Sequence, residues 1–269
     1  MAATGRAMIL SPILNVMTAA AEKAARGLVR DFGELEHLQV SKKGLGDFVS
    51  TADRRSEDIL IYELSKARPD YPFLTEETGA IPGKNTEFCW IIAPLDGTLN
   101  FLHGIPHFAI VIALKKEDEI VASVTYSPLQ DEMYWAEKGK GSFLNQRRLR
   151  VSGRRHLDEA VIAMGTPFGD HGDISIFQKR LEKIMPITAG TRRFGAAALD
   201  LAYVAAGKFD AFFEDHLKPW DLAAGILLVK EAGGYVTEVN GGKDMLNSGS
   251  ILAANEYLHD DLQKLLVSA

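Results

Sequence analysis

One cysteine, Cys89, stands alone among 269 residues, so no disulfide can form within the chain and a zinc site built on cysteines is excluded. Proline is scarce at 10 residues, and the 24 glycines follow no period, which excludes collagen-like and low-complexity chains. Long apolar runs are missing too. Phe108 to Leu114 and Leu222 to Val229 fall far short of the roughly 20 residues that a spanning helix needs. Near the N-terminus the apolar Met8-Ile9-Leu10 is broken by Ser11-Pro12 and leads into an amphipathic pattern, unlike a signal-peptide core. There is no basic excess: 30 Lys and Arg face 36 Asp and Glu, a net charge of −6, the wrong sign for a dedicated nucleic-acid binder. A cytoplasmic protein with no membrane association is the expectation.

What is present is ordinary globular composition, 46% hydrophobic and 25% charged. A chain of this length should bury about 75% of its unfolded surface, so it needs neither disulfide nor metal to hold a core. Ser11-Pro12 reads as helix cap and first helical residue. Ile13, Leu14, Met17, Ala20, Ala21, Ala24 and Leu28 follow at helical spacing. Gly44 to Thr51 reads as a loop or short strand. A second helix begins near Asp53, carries Ile59, Leu60 and Leu64, and stops before Pro69. Short strands follow at Phe73–Thr75 and Phe88–Ile92, then a meander of Phe108–Leu114, Ile120–Tyr126 and Glu132–Trp135. Beyond Gly153 the pattern alternates. Strands are predicted at Ala160–Met164, Ile187–Thr191, Phe209–Phe213 and Ser250–Ala253, and helices at Ile174–Met185, Ala196–Ala206, Asp221–Ala232 and Glu256–Val267. The class is α/β, with a boundary near residues 150–157.

Carboxylates gather at the ends of these elements. Glu76 and Glu77 follow one predicted strand, Asp96 follows the next, Asp221 opens a helix, and Asp47 and Asp53 sit at a loop-to-helix junction. Ligands bind beyond the carboxyl ends of strands in α/β sheets, and hard oxygen donors in this number suit Mg²⁺. Gly97-Thr98 stands where a helix start would offer free N–H groups to an anion. Spacing alone leaves the other reading open: an Asp at a helix start is commonly a cap, and Glu76-Glu77 alone would pass for a solvated turn.

The residues around those acids add more. Ala93-Pro94-Leu95-Asp96-Gly97-Thr98-Leu99-Asn100-Phe101 resembles the D-P-x-D-G-T-x-N-F signature of the inositol monophosphatase family. Trp220-Asp221-Leu222-Ala223-Ala224-Gly225, with Glu231-Ala232-Gly233-Gly234 behind it, is similar to the family's second signature. Glu76-Glu77 matches its paired glutamates, and Asp47 to Asp53 its N-terminal segment. Gly190 to Asp200 most resembles the bacterial SuhB-like branch. The resemblance covers nearly the whole chain. It implies one domain over 1–269, divisible at 152/153, folded as an αβαβα layered sandwich. It also implies Mg²⁺-dependent, lithium-sensitive hydrolysis of small phosphate monoesters by a metal-activated water, and a homodimer.

Carried over by position, the metal ligands would be Glu76, Asp96, Asp221 and the Leu95 carbonyl. Thr98, linked to Asp53, and Glu76 would activate the water, with Asp96 also in the catalytic set. The amides of Gly97 and Thr98 would hold phosphate. Arg192, Gly195, Ala196, Ala197, Glu214 and Asp221 would line the substrate's hydroxyl face. Ala196 departs from a Thr found in some relatives.

Ala93 is the departure that matters. It stands where the family places the first Asp of the signature, a carboxylate that bridges two of the two or three ions. A methyl group coordinates nothing, so reduced occupancy and impaired turnover are expected. Inositol monophosphates are the first substrate expected, and other small sugar or nucleotide phosphates the alternative. From a different class comes a catalytically inactive regulatory protein that binds transcription machinery or RNA through arginine clusters such as Arg147-Arg148, Arg150 and Arg154-Arg155. No P-loop, zincin or nucleophile-elbow motif occurs. Cys89, in an apolar strand, reads as a packed residue, and His103 and His107 as surface or supporting groups.

Overall fold

The computed structural model describes residues 10–44, 47–167 and 172–269. Met8 and Ile9 of the N-terminal run lie outside them. Ser11 caps the first helix, its side chain accepting from the Leu14 N–H at 3.3 Å. Helix α1 (Pro12–Phe32) buries the expected stripe of Leu14, Met17, Ala20, Ala21, Ala24 and Leu28. Strands β1 (Val40–Gly44) and β2 (Asp47–Ser50) pair antiparallel ahead of helix α2 (Thr51–Ala67). Then come β3 (Phe73–Thr75), β4 (Gly79–Ile81), β5 (Phe88–Asp96) and the short helix α3 (Thr98–Leu102). The meander is β6 (Ala109–Lys116), β7 (Glu119–Ser127), β8 (Glu132–Glu137), β9 (Gly141–Leu144) and β10 (Arg147–Arg148). Among the described residues these strands make one eight-stranded sheet in the order β10-β9-β8-β7-β6-β5-β3-β4.

The second half supplies β11 (Val161–Met164), α4 (Ile174–Ile184), β12 (Gly190–Arg192), α5 (Ala197–Ala205), β13 (Ala211–Glu214) and α6 (Pro219–Glu231). It ends with β14 (Tyr235–Thr237), α7 (Met245–Ser248), β15 (Ile251–Ala254) and α8 (His259–Val267). Its sheet runs β12-β11-β13-β15-β14.

Side-chain alternation explains how these pieces stack. In β5, Trp90 and Ile92 join the apolar cluster beneath α1 and α2. Ile91 and Ala93, pointing the other way as strand geometry requires, join the cluster around α5 and α6. That second cluster also takes in Phe212 and Ala253 of the smaller sheet. Helices α5 and α6 are therefore sandwiched between two sheets. Helix α6 is accordingly buried without a break from Leu222 to Val229, as a helix apolar on every side must be. A third cluster joins the far face of the small sheet to α4 and α8 through Ile184, Leu258, Leu262 and Leu266. The layers read αβαβα, as the resemblance implied.

Boundaries differ from the sequence reading at identifiable places. The strand expected at Ile187–Thr191 forms at Gly190–Arg192, because Met185–Ile187, with Pro186, is a 3₁₀ turn. The strand expected from Phe209 starts at Ala211 and runs through Glu214, delivering that carboxylate to the strand's end. The last helix begins at His259 and not Glu256, since Asn255 Oδ1 accepts the Tyr257 and Leu258 N–H groups in a turn, both at 3.0 Å. Strands β4, β9, β10 and β14 have two to four residues, too few for alternation to declare itself.

Candidate active site

Strands β3 and β5 run parallel, so Glu76, after β3, and Asp96, ending β5, lie on the same edge of the large sheet. Glu214 ends β13, and Asp221 stands in the first turn of α6. A cavity of about 380 Å³ opens there, and Glu76, Glu214 and Asp221 share its wall. Trp220, Phe213, Phe177, Lys218, His216 and Arg180 complete much of the lining, Arg180 being ion-paired with Asp215.

Asp221 and Asp96 are held by backbone as well as exposed to their neighbours. Asp221 Oδ2 accepts the Lys218 N–H at 2.8 Å, capping α6 from its third position. Asp96 Oδ2 accepts the Ala198 N–H at 3.0 Å and so caps α5, whose own cap residue, Ala196, has no side-chain acceptor. The two carboxylates sense each other in a dry place. Burial, then the Asp221 charge, pushes the Asp96 carboxyl up to about 8, and burial lifts Asp221 to about 6. Glu214 is raised well above the ordinary range by burial and then by Asp221 and Asp200. Such a set favours bound protons or a bound cation over three bare charges.

Asp53 does two jobs. Its Oδ2 accepts the Ser50 N–H at 2.8 Å and the Ser50 hydroxyl at 2.6 Å, forming the capping box of α2. Its Oδ1 accepts the Thr98 hydroxyl at 3.0 Å. The Leu95 carbonyl lies equally close to that hydroxyl, 3.0 Å away. Gly97, between them, adopts φ +89°, and a Cβ there would press to 3.0 Å from the His107 carbonyl. Glycine is what lets the chain turn from β5 into α3. Asn100 pins the turn, its side-chain N–H groups reaching the His107 carbonyl at 2.9 Å and the Phe194 carbonyl at 2.7 Å. That second bond ties Gly97-Thr98 to the segment holding Gly195, Ala196 and Ala197.

Of the expected site residues, Glu76, Glu214 and Asp221 line the cavity, whereas Leu95, Asp96, Gly97, Thr98, Gly195, Ala196, Ala197 and Arg192 stand outside its lining; the Arg192 guanidinium folds back on the Thr191 carbonyl at 2.8 Å. The neighbouring Arg193 is the cation whose charge reaches Asp200 and Glu214, lowering both. Arg193, Asp200, Ser56 and Glu57 are groups around the site that sequence reasoning passed over. For Ser56 and Glu57 a signal existed: they follow Asp53 by three and four residues, on one helical face. Gly165 was also unremarked. A Cβ there would overlap the Glu214 carboxylate, so Gly165→Ala must displace that group. In chains carrying Ala93→Asp the expected result is a raised KM, with a stability loss of about 1–3 kcal/mol. Unchanged KM would show that Glu214 does not meet the substrate.

His107 is half-buried against Phe194 and Tyr203, ring centroids 5.1 and 5.9 Å away. Burial, then the Lys208 charge, pushes its pKa below the ordinary 6.5. A base depressed in the folded state is protonated first in the unfolded chain, so stability drops as pH falls below 6.5. Urea midpoints at about pH 7.5 and 5.5 should show the loss, and His107→Phe, which suits the aromatic box, should shrink it. An equal loss in both chains would assign it elsewhere. Cys89 is half-buried with its thiol pKa raised by burial, and His103 closes α3.

Residues 9–269 match the profile of the Inositol monophosphatase family. The chain belongs to that family. It is 54% identical over 257 residues to an inositol-1-monophosphatase of Mesorhizobium japonicum, covering 96% of this chain and 97% of that protein. It is 42% identical over 250 residues to the Nus factor SuhB of Pseudomonas aeruginosa, covering 91% and 92%. A crystal structure of the extragenic suppressor protein suhB from Bartonella henselae superposes with a TM-score of 0.93 at 52% identity, covering 95% of this chain and 98% of that one. For a family member the magnesium donors would be Glu76, Asp96, Asp221 and the Leu95 carbonyl. Among the described residues, however, no group of three or more His, Cys, Asp or Glu side chains is arranged to hold an ion. At position 93, where the resembled signature has its bridging Asp, the side chain is a fully buried methyl. Position 93 therefore offers no oxygen donor beside that set.

Proposed function

We propose that this chain is a magnesium-dependent phosphomonoesterase for inositol monophosphates whose turnover is held down by Ala93. The Asp53–Thr98 hydrogen bond beside the buried Asp96 and the half-buried Asp221 carries this reading. An aspartate that fixes a threonine hydroxyl next to a cluster of carboxylates is a means of orienting one water. In this reading Thr98 Oγ1 and Glu76 hold the attacking water, and Glu76 receives its proton. The water oxygen bonds to phosphorus as the phosphorus–oxygen ester bond breaks, and the departing inositol oxygen takes up a proton from a solvent water, to which Glu76 returns the one it received. Glu214 and Asp221 accept hydrogen bonds from the sugar hydroxyls. Gly97 and Thr98 amides receive phosphate oxygens. Ala93 weakens the hold on the cation that the family uses, because it removes one oxygen donor.

The test is phosphate release from inositol 1-phosphate across a Mg²⁺ titration, run beside fructose 1,6-bisphosphate and adenosine 2′-monophosphate. Preference for the inositol ester with a steep requirement for Mg²⁺ supports the reading; indifference to both overturns it. Lithium inhibition belongs to the same experiment.

A second reading draws on the Nus factor relatives and on the exposed arginines of edge strand β10, where Arg148 also lies over the Phe143 ring at 5.8 Å. It makes the chain a partner of transcription machinery or RNA, with binding that survives Asp221→Asn and fails in an Arg147/Arg148 double alanine variant. The homodimer is proposed on the exposed Leu99, Ile105 and Phe194, which Asn100 draws together, and sedimentation decides it.

A further inference from the structure

Helix α2 sends three polar side chains toward the site from one face. Asp53 takes Thr98, as above. Ser56, one turn on, donates to the Pro94 carbonyl at 2.8 Å. Glu57, next to it, is only 2% exposed, and both its oxygens are taken by backbone: Oε2 accepts the Glu77 N–H and Oε1 the Thr78 N–H, both at 2.9 Å.

A buried carboxylate is costly unless its oxygens are satisfied, and here two backbone donors from one turn do it. Bonds from both oxygens of a planar group fix the turn's orientation as well as its distance. Those N–H groups belong to the two residues directly after Glu76, whose side chain lines the cavity. Helix α2 itself is anchored by Leu60 and Leu64, each fully buried, so it is a firm place from which to hold a turn.

We propose that Glu57 is a positioning residue: by holding the Glu77 and Thr78 amides it sets where the Glu76 carboxylate stands, in register with the Thr98 held by Asp53. This rests on the phosphomonoesterase reading for its catalytic consequence. The competing view makes Glu57 a staple that contributes stability and nothing more.

Two measurements separate them. In chains carrying Ala93→Asp, where turnover is measurable, Glu57→Gln presents an N–H₂ group to a backbone N–H and so loses one of the two bonds. The expected result is a fall in kcat of about 10–100-fold, the range for removing a group that orients a reacting residue, with KM for inositol 1-phosphate unchanged. Glu57→Asp, which restores the charge, should recover part of kcat. A lowered melting temperature with kcat intact overturns the proposal. Crystal structures of the chain as it stands and of its Glu57→Gln form supply the readout that needs no turnover. The Glu76 carboxylate should shift along the cavity wall while Asp96 and Asp221 hold their places, and an unmoved Glu76 overturns the proposal. An inert Ala93→Asp parent would sink the phosphomonoesterase reading, while the crystallographic comparison would still decide whether Glu57 places Glu76.

Discussion

Ala93→Asp is expected to raise Mg²⁺-dependent phosphate release from inositol 1-phosphate by at least about 100-fold. Even the loss of a group that only supports a metal ligand typically costs 10–100-fold, and a bridging donor touches the ions themselves. The position explains a second expected effect. Ala93 is fully buried on β5 opposite Val111, in the same cluster as Leu222 and Ala223, the residues directly after Asp221. An aspartate there adds a third carboxylate to a place where Asp96 already sits at about 8. Without a cation, repulsion and burial of the new charge should make the Ala93→Asp chain the less stable of the two. With Mg²⁺ the order should reverse or close, since an ion that binds only the folded state contributes about 2.7 kcal/mol at a hundred times its Kd. Melting curves in EDTA and in Mg²⁺ for the two chains, beside the turnover assay, give a crossed pattern that neither a packing defect nor a general loss of fold can mimic. If both chains are equally active, Ala93 is not the disabling residue. If both are inert, the phosphomonoesterase reading fails.

The layered fold was legible because its long elements carry clean periods. The stripe from Leu14 to Leu28 and the unbroken apolar run of α6 announced their layers. Short strands did not, and neither did their ends: Glu214 reached the cavity because β13 runs one residue past its expected stop and starts two late. The site was legible as a set of words more than as a geometry. From spacing alone, Asp53 and Asp221 read equally well as caps or as ligands. The structure shows that the alternatives are not exclusive. Asp53 gives one oxygen to Ser50 and the other to Thr98, and Asp221 caps α6 while lining the cavity. What stayed hidden were partners distant in sequence. Nothing near Glu57 says that it will meet Glu77 and Thr78, 20 and 21 residues away. Nothing near Asp96 says that it will cap a helix 102 residues on. Arg192 and Arg193 illustrate the same limit: adjacent residues of one type, of which the fold turns the second toward the acids.

Asp53→Ala should separate the two jobs of that residue by the size of two losses. Asp53 is 1% exposed, and its removal leaves the Ser50 N–H and the Ser50 hydroxyl without the acceptor they use, while the Thr98 hydroxyl keeps only the Leu95 carbonyl. Losing the cap costs about 1 kcal/mol, and stranding buried donors adds about 1–3 kcal/mol. A total of roughly 2–4 kcal/mol follows if the two losses add, read as a shifted denaturant midpoint at constant slope. Asp53→Asn should lose less, because its carbonyl can still accept from Thr98. Its amide, however, turns a donor toward the Ser50 N–H. Turnover is expected to follow a different order. In chains carrying Ala93→Asp, both substitutions remove the negative charge that polarises the Thr98 hydroxyl, so kcat should fall by about 100–1,000-fold in each, within the range for losing an acid–base group. KM should hold, since Asp53 is buried and does not line the cavity. Equal catalytic loss with unequal stability loss is the signature of a group that both caps α2 and aligns the reacting water. If kcat instead tracks stability across the pair, Asp53 is a cap alone, and the water must be oriented by Glu76 without help from α2.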